Sequence, residues 1–162
     1  MISPRVAIDA GVKALGWARG TDRIQAAGCS RTRDKLTPAQ YADLHARAIG
    51  AGSAALVALE RMHWDGRRMT TPGDLLDVQA IGCIVAARVG GAIALYLPYE
   101  WTRVSKDIGT LRMWDVLDES ETRIVRAACE KATKAHAKEV LDAARLFLYD
   151  AGRIDKSGSP RR

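Results

Sequence analysis

The sequence predicts an α/β domain built on a mixed five-stranded sheet, an antiparallel meander continued by parallel strands, with helices on both faces. Three observations predict it: short apolar segments near the N-terminus separated by turn residues, two later runs that are apolar throughout, and helical periodicity in the segments joining and following them. Parallel neighbours need covered crossovers, so strands that alternate with helices after a meander place helices on both faces.

Val6-Ala7-Ile8 ends at Asp9 and is followed by Ala10-Gly11, a strand entering a turn. Ala14 to Ala18, then Gly20-Thr21-Asp22, then Ile24 to Ser30 supply the second and third strands of the meander. Thr37 reads as an N-cap with Pro38 at the first helical position; Tyr41, Leu44, Ala48 and Ile49 recur at helical spacing until Gly50 and Gly52 end the helix. Ala54 to Leu59 is continuously apolar and stops at Glu60, as expected of a central parallel strand covered on both faces. After a polar loop from Met62 to Gly73, Leu75, Val78, Ile81, Val85 and Val89 mark a helix closed by Gly90-Gly91. Ala92 to Leu97 reads as another buried strand, ended by Pro98, and the remainder to about Ala151 reads as helical apart from the Ser105 to Gly109 region. A single domain over residues 1–152 is expected, with 153–162 as a basic, disordered tail, because Ser157-Gly158-Ser159-Pro160 offers little to bury.

A chain of 162 residues that is 48% hydrophobic is long enough to bury a core without disulfides or a structural metal. Cys29, Cys83 and Cys129 lie far apart with no C-x-x-C spacing, and His45 adds none of the spacing of a zinc site. A reducing setting follows. No apolar run approaches a membrane span, and the N-terminus has no charged stretch leading into an apolar core, so a soluble protein of the cytoplasm is expected. Lys and Arg number 25 against 19 Asp and Glu, and the resulting +6 favours polyanionic partners.

The chemistry is concentrated in carboxylates. Asp9 and Glu60 each end an apolar strand, where sheet proteins gather ligands. Glu139 and Asp142 are three apart and project from one face of the last helix. If that helix crosses the sheet near the first strand, four carboxylates converge. Gathered carboxylates repel, and desolvating them is costly unless cations neutralise them. Hard oxygen ligands suit Mg²⁺ or Mn²⁺, and two such ions about 3.5–4 Å apart support phosphodiester hydrolysis. Taken singly, Asp9 before a glycine is equally an Asx turn, and Glu60 equally the point where a strand meets water. Asp142 and Arg145 are equally an exposed ion pair, since the main apolar face of the helix, Val140, Ala144, Phe147 and Leu148, lies opposite. Ala135 and Leu146 share the carboxylate stripe, however, and argue that this side is covered too.

In order and spacing, Val6-Ala7-Ile8-Asp9-Ala10-Gly11 with Gly16-Trp17-Ala18, Leu56-Val57-Ala58-Leu59-Glu60, and Glu139-Val140-Leu141-Asp142-Ala143-Ala144 resemble the acidic blocks of RuvC-type Holliday junction resolvases. The resemblance spans most of the chain. It implies an RNase H-like fold, two Mg²⁺ or Mn²⁺ ions held by the acidic residues, and a homodimer that makes paired nicks across a four-way DNA junction. Asp9, Glu60, Glu139 and Asp142 are then both metal ligands and catalytic residues, and no organic cofactor is expected. A two-fold dimer suits a substrate with two equivalent strands to cut. Two positions depart from the family pattern: Asp is commoner at the place of Glu139, and a small or apolar residue at the place of Arg145. In this reading the longer Glu shifts one metal and the Arg reaches a phosphate. Pro98, Trp101 and Lys106 are similar to a stretch of bacteriophage members, which implies a phage relative working in the host cytoplasm.

The segment Arg61 to Arg68 interleaves basic and aromatic groups beside the site. Arg61, His63, Trp64, Arg67 and Arg68 are DNA-binding candidates, Trp64 as a ring that stacks in the junction centre for roughly 1–3 kcal/mol or else covers the edge of the core. Lys13, Arg103 and Lys106 are phosphate candidates, as are Arg31, Arg33 and Arg112. His136, one turn before Glu139, assists a water or metal or is incidental. Other readings stay open: a nuclease of the same fold acting on flaps, forks or RNA-containing duplexes, and a non-catalytic DNA-binding module. An actin-like phosphotransferase, suggested by Asp9-x-Gly11, would need a second lobe for which the chain has no room.

Overall fold

The computed structural model describes residues 3–50, 52, 54–62 and 72–161. Its strands are β1 (Arg5–Asp9), β2 (Ala14–Gly20), β3 (Ile24–Arg31), β4 (Leu56–Glu60) and β5 (Ala92–Tyr96). Its helices are α1 (Pro38–Ile49), α2 (Pro72–Val89), α3 (Pro98–Trp101), α4 (Lys106–Trp114), α5 (Glu119–Ala132) and α6 (Ala137–Asp150). The strands form one mixed sheet in the order β3-β2-β1-β4-β5. The meander β1-β2-β3 is antiparallel, while β1, β4 and β5 run parallel. This is the predicted fold class.

Alternation along the central strands sorts the core into two clusters. Val6, Ile8, Val57 and Leu59 meet Tyr41 and Ile49 of α1 and Ile81, Val85 and Val89 of α2 on one face. Ala7, Ala18 and Ala58 face Val140, Ala144, Phe147 and Leu148 of α6 and Val125 and Ala128 of α5 on the other. The second face is lined by small residues, so α6 can lie close against the sheet. Asp150 near the C-terminal end of α6 ties it down, accepting from Arg5 of β1 at 2.7 Å and from Tyr96 of β5 at 2.6 Å.

Helix α1 starts as predicted. Thr37 Oγ1 accepts from the Gln40 amide, the Gln40 side chain accepts from the Thr37 amide, and Pro38 occupies the first turn. Gly50 ends the helix at φ 104, a conformation that favours glycine.

Three sequence expectations are corrected. Strand β5 is not buried: Ile93 and Leu95 are 41% and 46% exposed. They pair in register with Val57 and Leu59, but β5 is an edge strand, and an apolar run reads the same at an edge as at the centre. The Ser105 to Gly109 region is not a break in helix. Ser105 caps α4 by accepting from the Ile108 amide, and Gly109 lies inside it. The glycine serves a close approach, because a Cβ there would lie 2.1 Å from Nη2 of Arg145. Residues 153–161 are not a loose tail. Ile154 is 1% exposed in the core, Asp155 Oδ1 accepts from the Ser157 and Ser159 amides, and Arg161 N–H returns to the Arg153 carbonyl. The Ser- and Gly-rich composition read as disorder makes instead a tight turn anchored on Asp155.

Candidate active site

Both strand-end carboxylates emerge on the α6 side of the sheet. Ala7 and Ala58 face α6, so Asp9 and Glu60, two residues further along each strand, lie on the same face. The parallel pairing of Ile8 with Leu59 brings the two strand ends level.

Gly16 brings the helical pair to them. It pairs with Asp9 across the β1–β2 ladder, and the Glu139 backbone passes directly over it. A Cβ at Gly16 would lie 2.0 Å from the Glu139 carbonyl oxygen. Asp142, one turn along the same face, is 4% exposed, so the helical carboxylates do not point to open solvent. Oε2 of Glu139 is buried with no hydrogen-bond partner among the described residues, although Lys138 Nζ lies 3.9 Å from Oε1.

The electrostatics report the convergence. Burial, followed by the charges of Asp142, Glu60 and Glu139, holds the Asp9 carboxyl well above its ordinary range, against the opposing charge of Lys106. Lys106 Nζ sits 2.5 Å from Oδ2 of Asp142. Burial pushes its ammonium down, but the bond to Asp142 and the charges of Asp142, Asp9 and Glu60 outweigh that and hold it above its usual value. Lys106 is thus a counter-ion of the carboxylate cluster, with its side chain still 62% exposed.

A second layer orients this cluster. Trp101 Nε1 donates to Oε2 of Glu60 at 2.8 Å. The Arg145 guanidinium stacks on the Trp101 ring at 5.3 Å, donates to the Lys106 carbonyl and to Thr102 Oγ1 at 3.2 Å each, and stands 3.8 Å from Oδ1 of Asp142. Arg145 is 1% exposed, which corrects both expectations for it: it is neither a surface ion pair nor free to reach a phosphate. Residues from α3 and α4 cover the stripe of α6 that carries it. The sequence had marked Trp101 and Arg145 without showing their contact; the signal was Gly109, at the end of a region set apart from the helices, where it leaves the space a buried guanidinium needs.

Among the described residues, no three His, Cys, Asp or Glu side chains close around one point as a finished metal cage. The donor set is nevertheless all oxygen and acidic, with an orphaned buried oxygen on Glu139, and this fits a hard divalent cation.

Of the DNA-binding candidates, Lys13, Arg61 and Arg103 are exposed. Arg61 directly follows Glu60, and its amide donates to the Tyr96 carbonyl at 2.7 Å. Arg112 is held by the Ser157 carbonyl, so it anchors the C-terminal turn. His63, Trp64, Arg67 and Arg68 lie outside the described residues. His45 is buried between Ser30 Oγ and the Val12 carbonyl, where it fastens the turn after Asp9. All three cysteines are free.

No family model matches the chain, and no curated protein matches it by sequence. Solved structures do. Fowlpox virus resolvase in complex with substrate Holliday junction DNA matches at TM-score 0.57 and 12% identity over 93% of this chain and 97% of that one. RuvC of Thermus thermophilus in complex with a Holliday junction substrate matches at TM-score 0.53 and 13% identity, over 92% and 96%. The yeast mitochondrial Holliday junction resolvase Ydc2 matches at TM-score 0.52 and 15% identity, over 91% and 78%. The chain has the RNase H-like fold of these resolvases.

Proposed function

We propose that this chain, built on the resolvase fold, is a structure-selective endonuclease that resolves Holliday junctions or other branched DNA in the cytoplasm, acting as a homodimer. The observation that carries the reading is the gathering of Asp9, Glu60, Glu139 and Asp142 on one face of the sheet, where Asp9 feels the charge of the other three.

Those four residues would hold Mg²⁺ or Mn²⁺, two ions per site. Bound there, the metal supplies the activation of a water and the stabilisation of the leaving oxygen in phosphodiester hydrolysis. The chain's own residues prepare the place. Lys106 offsets part of the cluster's negative charge, Trp101 fixes the direction of Glu60, and Arg145 keeps Trp101 and the Lys106 segment in position. The net charge of +6 draws the phosphate backbone toward this acidic spot. For the homodimer, the two-fold symmetry of a four-way junction asks for two equivalent sites, and Ile93 and Leu95 on the edge strand offer an apolar surface for a second copy to cover.

Incubating purified protein with a synthetic four-way junction in Mg²⁺, in Mn²⁺ and in chelator tests the proposal. Paired nicks in either metal, none in chelator and none with Asp142→Asn are expected. Equal cutting of linear duplex would overturn junction selectivity, and cutting by Asp142→Asn would overturn the site. A monomer by light scattering at working concentration, with or without junction, would remove the homodimer.

A further inference from the structure

Beside the carboxylates the same face carries a basic groove of about 650 Å³. Lys13, Arg31 and Arg33, at the ends of β2 and β3, form one wall; Thr133 and His136, from the α5–α6 connection, belong to the other. Among the described residues, no acidic side chain lines it. Among the described residues, neither Lys13 nor Arg33 enters an ion pair.

Its far wall is held against a cost. Thr133 sits at φ 69, a left-handed backbone that a β-branched residue avoids. Arg31 braces it, donating to the Ala132 carbonyl at 3.3 Å and to Thr133 Oγ1 at 3.2 Å. Nδ1 of His136 is buried with no partner among the described residues. Backbone strain and an unsatisfied ring nitrogen thus meet in one short connection, which is where folds keep functional geometry.

The groove's place relative to the carboxylates gives it a role. His136 is one turn before Glu139, and Lys13 follows Asp9 on the turn that the Thr32 amide closes at 2.9 Å. A helical turn rises about 5.4 Å, between one and two nucleotide steps of about 3.4 Å.

We propose that this groove is a phosphate subsite that grips the backbone of the cleaved DNA strand one or two nucleotides from the scissile phosphate and so sets where the cut falls. The proposal rests on the nuclease reading of the adjacent carboxylates.

The test is the double variant Lys13→Gln/Arg33→Gln, both exposed, with Arg31 left to brace Thr133. Arg47→Gln/Arg123→Gln, exposed and outside the groove, is the charge-matched control. Junction affinity is followed in chelator across a salt series by fluorescence anisotropy, and cut positions are mapped in Mn²⁺ at saturating enzyme. The groove variant is expected to bind at least tenfold more weakly than the control at low salt. The slope of log K against log salt should be shallower by about 1–2, at roughly 0.9 per lost phosphate contact, and cuts should move or scatter by one or two nucleotides. Affinity, slope and cut positions equal to the control's would overturn the groove while leaving the nuclease intact. A wild-type protein that never cuts, but whose binding in chelator still depends on Lys13 and Arg33, would overturn the nuclease reading and its cut-setting role while upholding phosphate binding.

Discussion

Asp9 sets burial against charge at a single residue, and the balance makes a prediction about stability. Its carboxyl is held well above the ordinary value near 3.8 by burial and by Asp142, Glu60 and Glu139. The folded state therefore keeps a proton that the unfolded chain releases, and stability drains away as pH rises above that value. Asp9→Asn removes the cost. Without divalent metal the variant should melt above wild type at pH 8, by about 2–4 °C for each kcal/mol relieved, and the gain should vanish near pH 4. Calorimetry at the two pH values decides it; a variant less stable at pH 8 would mean that Lys106 already compensates Asp9 in full. Glu121 shows the opposite sign. Burial pushes its carboxyl up, but Arg153 and the amides of Ile24 and Asp118 outweigh burial and hold it below the usual range. Its contribution is present above the ordinary glutamate range and lost on acidification. Spacing exposed the carboxylates of the candidate site, whereas the fate of each depends on residues far along the chain, as Asp9 does on Asp142 and Glu60 on Trp101.

Helix α6 is the element on which the site depends, because it carries two of the four carboxylates across the strand ends that carry the others. Its approach is set by Gly16, where any side chain meets the Glu139 backbone. Gly16→Ala should lift that turn of the helix and destabilise the fold by about 1–3 kcal/mol, read from urea unfolding. Unchanged stability would show that α6 adjusts freely. The periodicity of α6 was legible as one strongly apolar face opposite Glu139 and Asp142. The cover on the second face was not, because it comes from Trp101, Thr102 and Lys106 on short elements elsewhere in the chain. For β5 the error ran the other way, since its apolar run carried no mark of the edge position that leaves Ile93 and Leu95 exposed.

Across the whole molecule, the C-terminal segment helps hold the α4 side together. Ile154 enters the same core as Val140 and Phe147, the Lys156 carbonyl accepts from the Arg103 amide, and the Ser157 carbonyl holds Arg112. Ile154→Ala should cost about 2–5 kcal/mol in chemical unfolding, whereas a frayed tail would lose almost nothing. What the sequence by itself determined is the order of the five strands and of the two helices between them, the caps of α1, and the placement of Asp9 and Glu60 at strand ends and of Glu139 and Asp142 on one helix face. Those follow from local periodicity, capping chemistry and strand ends, which depend on neighbours within a turn or two. Only the tertiary structure decided that Arg145 is buried, that Lys106 belongs to the carboxylates, that Gly109 makes room instead of breaking a helix, and that the last residues pack. Each of these depends on which distant surface covers a residue, and that information lies in the packing of the elements and not in the stretch of chain around it.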